Sequence, residues 1–125
     1  MILSIGTDLA EVERIRKAHL RFDERFLQRI YTPVEITYCF RKANPYERLA
    51  GRFAAKEAAM KAIGTGLAGG VSWQDFEVAN MPSGKPTLTF KGAAAEHAAR
   101  LGVAVVHLSM THTTSLAMAV VILES

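Results

Sequence analysis

Residues 49–63 should form a helix that is apolar on nearly every side and yet carries four charges. Successive helical residues advance ~100°, so an apolar stripe recurs every three or four positions. Leu49, Phe53, Met60 and Ile63 make that stripe, and Ala50, Ala54, Ala55, Ala58, Ala59 and Ala62 cover most of the remaining surface. A helix apolar all round is normally buried. Lys56 falls near the middle of the stripe, and Glu57 and Lys61 lie along its edge. Buried charges are normally paired or bound to metal, so these three need partners. An anionic ligand together with a divalent cation would supply them. The local alternative is an ordinary surface pair, because Glu57 and Lys61 stand four apart in the favourable order.

The rest of the composition narrows the setting. At 125 residues, half of them hydrophobic, the chain is expected to form a single domain spanning 1–125 with an ample core. No apolar run approaches the ~20 residues of a membrane helix, and Met1-Ile2-Leu3-Ser4-Ile5-Gly6 lacks the basic region and cleavage site of a signal peptide. Cys39 is the only cysteine, which suits a reducing cytoplasm and excludes a cysteine-cluster zinc site. A net charge of +3 and a pI of about 9.2 suggest an anionic partner: nucleic acid, a phosphorylated cofactor or an acidic protein.

Reading along the chain, Met1 to Ile5 is a strand, and a helical pattern on Leu9, Val12 and Ile15 follows Thr7-Asp8. A second helix begins near Asp23. Thr32-Pro33 with Glu35 is a capping box opening a short helix toward Arg41. Asn44-Pro45 breaks the chain before the long helix, Tyr46 to Ile63, which stops at Gly64-Thr65-Gly66. Phe76-Glu77-Val78 and Thr87 to Phe90 are strands joined by the loop Ser83-Gly84-Lys85-Pro86. Ala93 to Leu101 is a helix ending at Gly102, and Val103–Met110 and Ser115–Leu123 form a closing hairpin. The expected class is α+β, helices packed on an antiparallel sheet.

Asp8 is the first candidate for chemistry. Locally it is a helix N-cap with Glu11 as its capping-box partner. Alternatively it joins Glu57 around one hard cation, since magnesium typically takes one or two protein carboxylates and completes its shell with water and phosphate. Gly64-Thr65-Gly66 is a helix stop and lacks the Gly-Lys-Ser or Gly-Lys-Thr of a phosphate loop. Lys85 sits in a turn from which it could reach an anion. His107, Ser109 and Thr111 share one face of their strand, with Leu108, Met110 and His112 on the other. If the helix continues to residue 21, Arg14, Lys17 and Arg21 form one basic edge, either an ordinary solvated face or a surface for a small acidic helical protein. A noncatalytic basic module for RNA is the rival class; it leaves Asp8 and Glu57 without a role and lacks interleaved stacking aromatics.

Two segments are specific in this order: Ile5-Gly6-Thr7-Asp8-Leu9-Ala10-Glu11-Val12-Glu13-Arg14-Ile15, and Arg52-Phe53-Ala54-Ala55-Lys56-Glu57-Ala58-Ala59-Met60-Lys61-Ala62-Ile63-Gly64-Thr65-Gly66. With Phe76-Glu77-Val78, Ser83-Gly84-Lys85-Pro86 and the tail from His107 to Glu124, the chain resembles the holo-acyl-carrier-protein synthases, the short type of 4′-phosphopantetheinyl transferase. The resemblance spans Met1 to Ser125. It implies transfer of the phosphopantetheine arm of coenzyme A to a serine of apo-acyl carrier protein, with adenosine 3′,5′-bisphosphate as the other product. It implies magnesium on Asp8 and Glu57, Lys61 near the pyrophosphate, and Arg52, Lys56, Lys85, His107 and Ser109 as coenzyme A contacts. Arg14, Lys17 and Arg21 match the carrier-docking helix. The chain corresponds to one half of the larger two-half transferases, which implies a homotrimer with sites between subunits and no nucleic-acid or membrane partner. Relatives carry charged residues after the position of His112, where this chain has Thr113, Thr114 and Ser115, so His112 is left outside the expected site.

Overall fold

The first strand is twice as long as its apolar start predicts, because its second half finds a partner. In the computed structural model, which describes residues 1–125, β1 runs from Ile2 to Glu11. It pairs antiparallel with β5 (Leu116–Glu124), with Asp8 opposite Ala119 and Glu11 opposite Leu116. The cap signature at Asp8 and Glu11 therefore yields to a non-local ladder of backbone hydrogen bonds. Asp8 is a strand residue, not an N-cap, and Leu9 lies on the sheet rather than on the helix. The helix α1 (Val12–Phe22) starts later, its first N–H donating to Ser115 O at 3.0 Å. β5 also pairs with β4 (Val105–His112), giving a sheet of order β1-β5-β4.

Alternation along this sheet separates two faces. Gly6, Ala10, Ala117, Ala119, Val121 and Leu123 are buried against α4 (Tyr46–Ile63). Small residues let the elements approach closely. A Cβ at Gly6 would lie 1.9 Å from Ala58 O, so β1 and α4 meet backbone to backbone. The opposite face presents Ile5 and Leu9, each 63% exposed, with Met118 beside them.

The remaining elements wrap α4. α2 (Glu24–Ile30) follows the left-handed junction at Asp23, and α3 (Pro33–Cys39) opens with the expected capping box: Glu35 N donates to Thr32 Oγ1 and Thr32 N to Glu35 Oε1. α4 ends at left-handed Gly64, as its sequence dictates. A single 3-10 turn (Trp73–Asp75) leads into the hairpin β2 (Phe76–Asn80) and β3 (Pro86–Phe90); α5 (Gly92–Leu101) then precedes β4. The mixed architecture of helices on antiparallel sheet matches the expected class.

Lys56 corrects the expectation of a ligand partner. It is fully buried and forms an ion pair with Glu35 at 2.7 Å, itself fully buried. Its ammonium also donates to Trp73 O at 3.1 Å and to Phe76 O. Glu35 Oε2 accepts from Val78 N at 2.8 Å. Burial lowers the lysine pKa, opposed by the Glu35 charge. Both groups are satisfied within the chain, so Lys56 ties α3, α4 and β2 together instead of facing coenzyme A.

Candidate active site

Asp8 and Glu57 come together because β1 lies directly on α4. Asp8 projects from the α4 side of the sheet, two residues beyond the Gly6 contact. Lys61 Nζ donates to Asp8 Oδ1 at 3.1 Å and to Thr7 O at 3.0 Å. Glu57 stands one helical turn before Lys61 on the same edge. Burial raises the pKa of Glu57, and the charge of Asp8 raises it further, while Lys61 and Arg14 act in the opposite direction. The two carboxylates are thus within electrostatic reach of one another, with Lys61 and Arg14 as counter-charges. Glu57 and Lys61 also open onto a cavity of about 370 Å³ floored by Met60, Gly64, Gly66 and Leu67.

A second, basic hollow lies elsewhere on α4. Lys42, Arg48 and Arg52 line a cavity of about 290 Å³ with Asn80, Gly84, Pro86 and His112. Arg52 is only 3% exposed, and its guanidinium sits over the Tyr38 ring at 4.3 Å. Arg48 lies over the same ring at 4.2 Å. Arg52 Nη2 donates to Asn80 Oδ1 at 2.6 Å, but the buried Nε has no partner. Five residues separate Arg52 from Glu57, a rotation of ~140°, so the two hollows open on different sides of the helix and share no lining residue.

The other expected contacts divide. Lys85 is exposed in the turn whose neighbours Gly84 and Pro86 line the basic hollow. His107 and Ser109 project from the sheet face turned away from α4, and His107 is bound to Glu124 there. They line neither hollow within this chain. His112, which the sequence reading left out, does line the basic hollow, 4.0 Å from Glu47. Strand alternation carried that signal: it puts a polar His112 on the same face as Leu108 and Met110, over α4.

α1 extends through Arg21, so Arg14, Lys17 and Arg21 do form one exposed edge. Arg14 also borders a small, mostly apolar hollow with Leu9, Ile15, Ala18, Phe26 and Phe53.

Comparison with known proteins finds relatives over the whole chain. The family model of the 4′-phosphopantetheinyl transferase superfamily matches residues 4–121. The chain is 60% identical to a holo-(acyl-carrier-protein) synthase from Solibacter usitatus over the whole of both chains. It is also 60% identical to the Koribacter versatilis protein of that name, covering 99% of each. Among solved structures, holo-(acyl-carrier-protein) synthase from Neisseria meningitidis superposes with a TM-score of 0.90 at 36% identity, covering all of both chains. The Helicobacter pylori enzyme in complex with coenzyme A gives 0.84 at 32% identity, covering 96% of this chain and 99% of that one.

Proposed function

The chain belongs to the 4′-phosphopantetheinyl transferase superfamily, and on that premise we propose that Asp8 and Glu57 hold a magnesium ion for the transfer it performs. That transfer moves the phosphopantetheine arm of coenzyme A onto a serine of apo-acyl carrier protein and releases adenosine 3′,5′-bisphosphate. The observation that carries the proposal is the convergence of Asp8, Glu57 and Lys61 from two elements more than 45 positions apart in sequence. Two carboxylates, one of them opening onto a cavity, suit a hard cation that takes few protein ligands and completes its shell with water and phosphate. When bound, magnesium would neutralise charge developing on the pyrophosphate.

The residues of the chain do the remainder. Lys61 is placed to leave Asp8 and meet a phosphate oxygen, stabilising the leaving group. Glu57 is one candidate acceptor for the serine proton. Arg52 and Lys85 bind the nucleotide end. Arg14, Lys17 and Arg21 meet the acidic carrier, with the apolar hollow between Ile15 and Phe53 receiving one of its side chains. Positioning of the serine against the pyrophosphate supplies much of the rate.

The working unit is a homotrimer with sites between subunits. Two features support this. The exposed apolar face around Ile5, Leu9 and Met118 is what an association surface looks like. The basic hollow and the carboxylates open on different sides of a buried helix, so one coenzyme A reaches both only if a neighbouring protomer supplies the second half. His107 and Ser109 would then contact coenzyme A from the assembly face. Residues 1–125 act as one catalytic domain, working in the cytoplasm; no helix is long and apolar enough to cross a membrane.

The direct test mixes the chain, coenzyme A, magnesium and apo-carrier protein and weighs the carrier. A phosphopantetheine increment is expected, and it should disappear on chelation. Reversing Arg14 to Glu should raise KM for carrier protein more than KM for coenzyme A; an unchanged KM for carrier protein would remove the docking role.

A further inference from the structure

Asn80 stands at the last position of β2, opposite Pro86 in the hairpin register, where a polar side chain has no packing task. Its two amide atoms are both engaged. Oδ1 accepts from Arg52 Nη2 at 2.6 Å, and Nδ2 donates to Gly84 O at 3.0 Å. The assignment is forced by chemistry, because a guanidinium only donates and a carbonyl only accepts. One side chain thus joins the buried guanidinium to the turn that carries Lys85.

Arg52 needs that support. It is almost wholly buried, has no carboxylate in contact, and keeps one nitrogen without a partner. An uncompensated buried cation is costly, and an anion in the adjoining hollow would relieve it. A guanidinium recognises phosphate through its fixed fork of donors, so its orientation decides how well it binds. Tyr38 holds the Arg52 guanidinium over its ring, 4.3 Å from the centroid. The Asn80 hydrogen bond then restricts how the guanidinium turns there.

We propose that Asn80 is a positioning residue for coenzyme A binding: it aligns Arg52 and the Gly84–Lys85 turn on a phosphate of the nucleotide, without touching the reacting atoms. The proposal rests on Arg52 being a coenzyme A contact.

The test is a kinetic double-mutant cycle with Asn80→Ala, Arg52→Ala and the double variant. Asn80→Ala is expected to raise KM for coenzyme A about tenfold, with kcat at saturation and KM for carrier protein within twofold of wild type. The double variant should be no worse than Arg52→Ala alone. Isothermal titration with coenzyme A should show the same loss in affinity. If Asn80→Ala does not fold, Asn80→Asp keeps the volume and the acceptor but cancels the Arg52 charge, and it should show the same selective loss. A wild-type KM in Asn80→Ala beside a raised KM in Arg52→Ala overturns the role of Asn80 alone. A wild-type KM in Arg52→Ala overturns the assignment of the hollow itself. Equal losses toward both substrates, or additive losses in the double variant, make Asn80 merely structural and also overturn the proposal.

Discussion

Lys61 and Asp8 are joined by a 3.1 Å ion pair that bridges 53 positions of sequence, and Lys61 is the half-exposed partner. The lysine occupies a carboxylate oxygen that a divalent cation would also seek. An exposed pair is held weakly, typically by ~0–1 kcal/mol, so it can open at little cost.

Cation affinity and catalysis should therefore separate at this site. Lys61→Met should bind manganese up to about tenfold more tightly, because the competing positive charge is gone, while transfer falls by two orders of magnitude or more. Asp8→Asn and Glu57→Gln should lose both binding and transfer. Manganese titration followed by electron paramagnetic resonance reads the first quantity without any turnover; unchanged affinity in all three variants would refute the metal assignment.

The Glu35–Lys56 pair should behave as structure. Lys56→Met leaves Glu35 buried and unpaired, a change that typically costs ~3–5 kcal/mol. Glu35→Gln together with Lys56→Met should recover part of that loss. Urea denaturation measures it, and the folded fraction of each variant should keep a KM for coenzyme A near wild type. A selective rise in that KM would restore Lys56 to the binding site.

The proposed assembly through the exposed sheet face is testable at one position. Ile5→Lys places a charge in the centre of the apolar patch and should convert the proposed trimer to monomer, with transfer lost in parallel. Light scattering coupled to size exclusion reports the mass. An active monomer would sink the shared-site arrangement.

Cys39 gives a pH-dependent prediction. Burial pushes its thiol from 9.0 up to about 11. The folded state therefore keeps a proton that the unfolded chain releases between pH 9 and 11. The associated stability is complete below pH 9 and is lost as pH rises through 11. At pH 8 only roughly one thiol in a thousand is ionised, so iodoacetamide should label Cys39 only after urea is added. Rapid labelling of the native protein would contradict the burial.

What the sequence made legible was mostly local. The capping box at Thr32 and Glu35, the glycine stop at Gly64 and the hairpin around Gly84 depend on a few adjacent residues, and all appear where their chemistry predicts. Asp8 shows the limit. Its cap pattern is locally sound, but pairing with β5 extends the strand past it, and no neighbour of Asp8 announces that ladder. Lys56 shows another. Its need for a partner was readable from the apolar helix, whereas Glu35 already had a complete local explanation as a cap and showed no sign of a second use. The approach of Lys61 to Asp8 depended on packing of β1 on α4 that spacing alone does not express.

The bare contact of Gly6 with the carbonyl of Ala58 has a consequence beyond packing. Main chain resting on main chain acts as a gauge, holding β1 against α4 at a spacing that side-chain drift elsewhere in the interior leaves untouched. One methyl group at position 6 would wedge the strand off its helix and carry Asp8 away from Glu57 and Lys61, so an atom too small to appear in most structures sets the spacing of these three side chains.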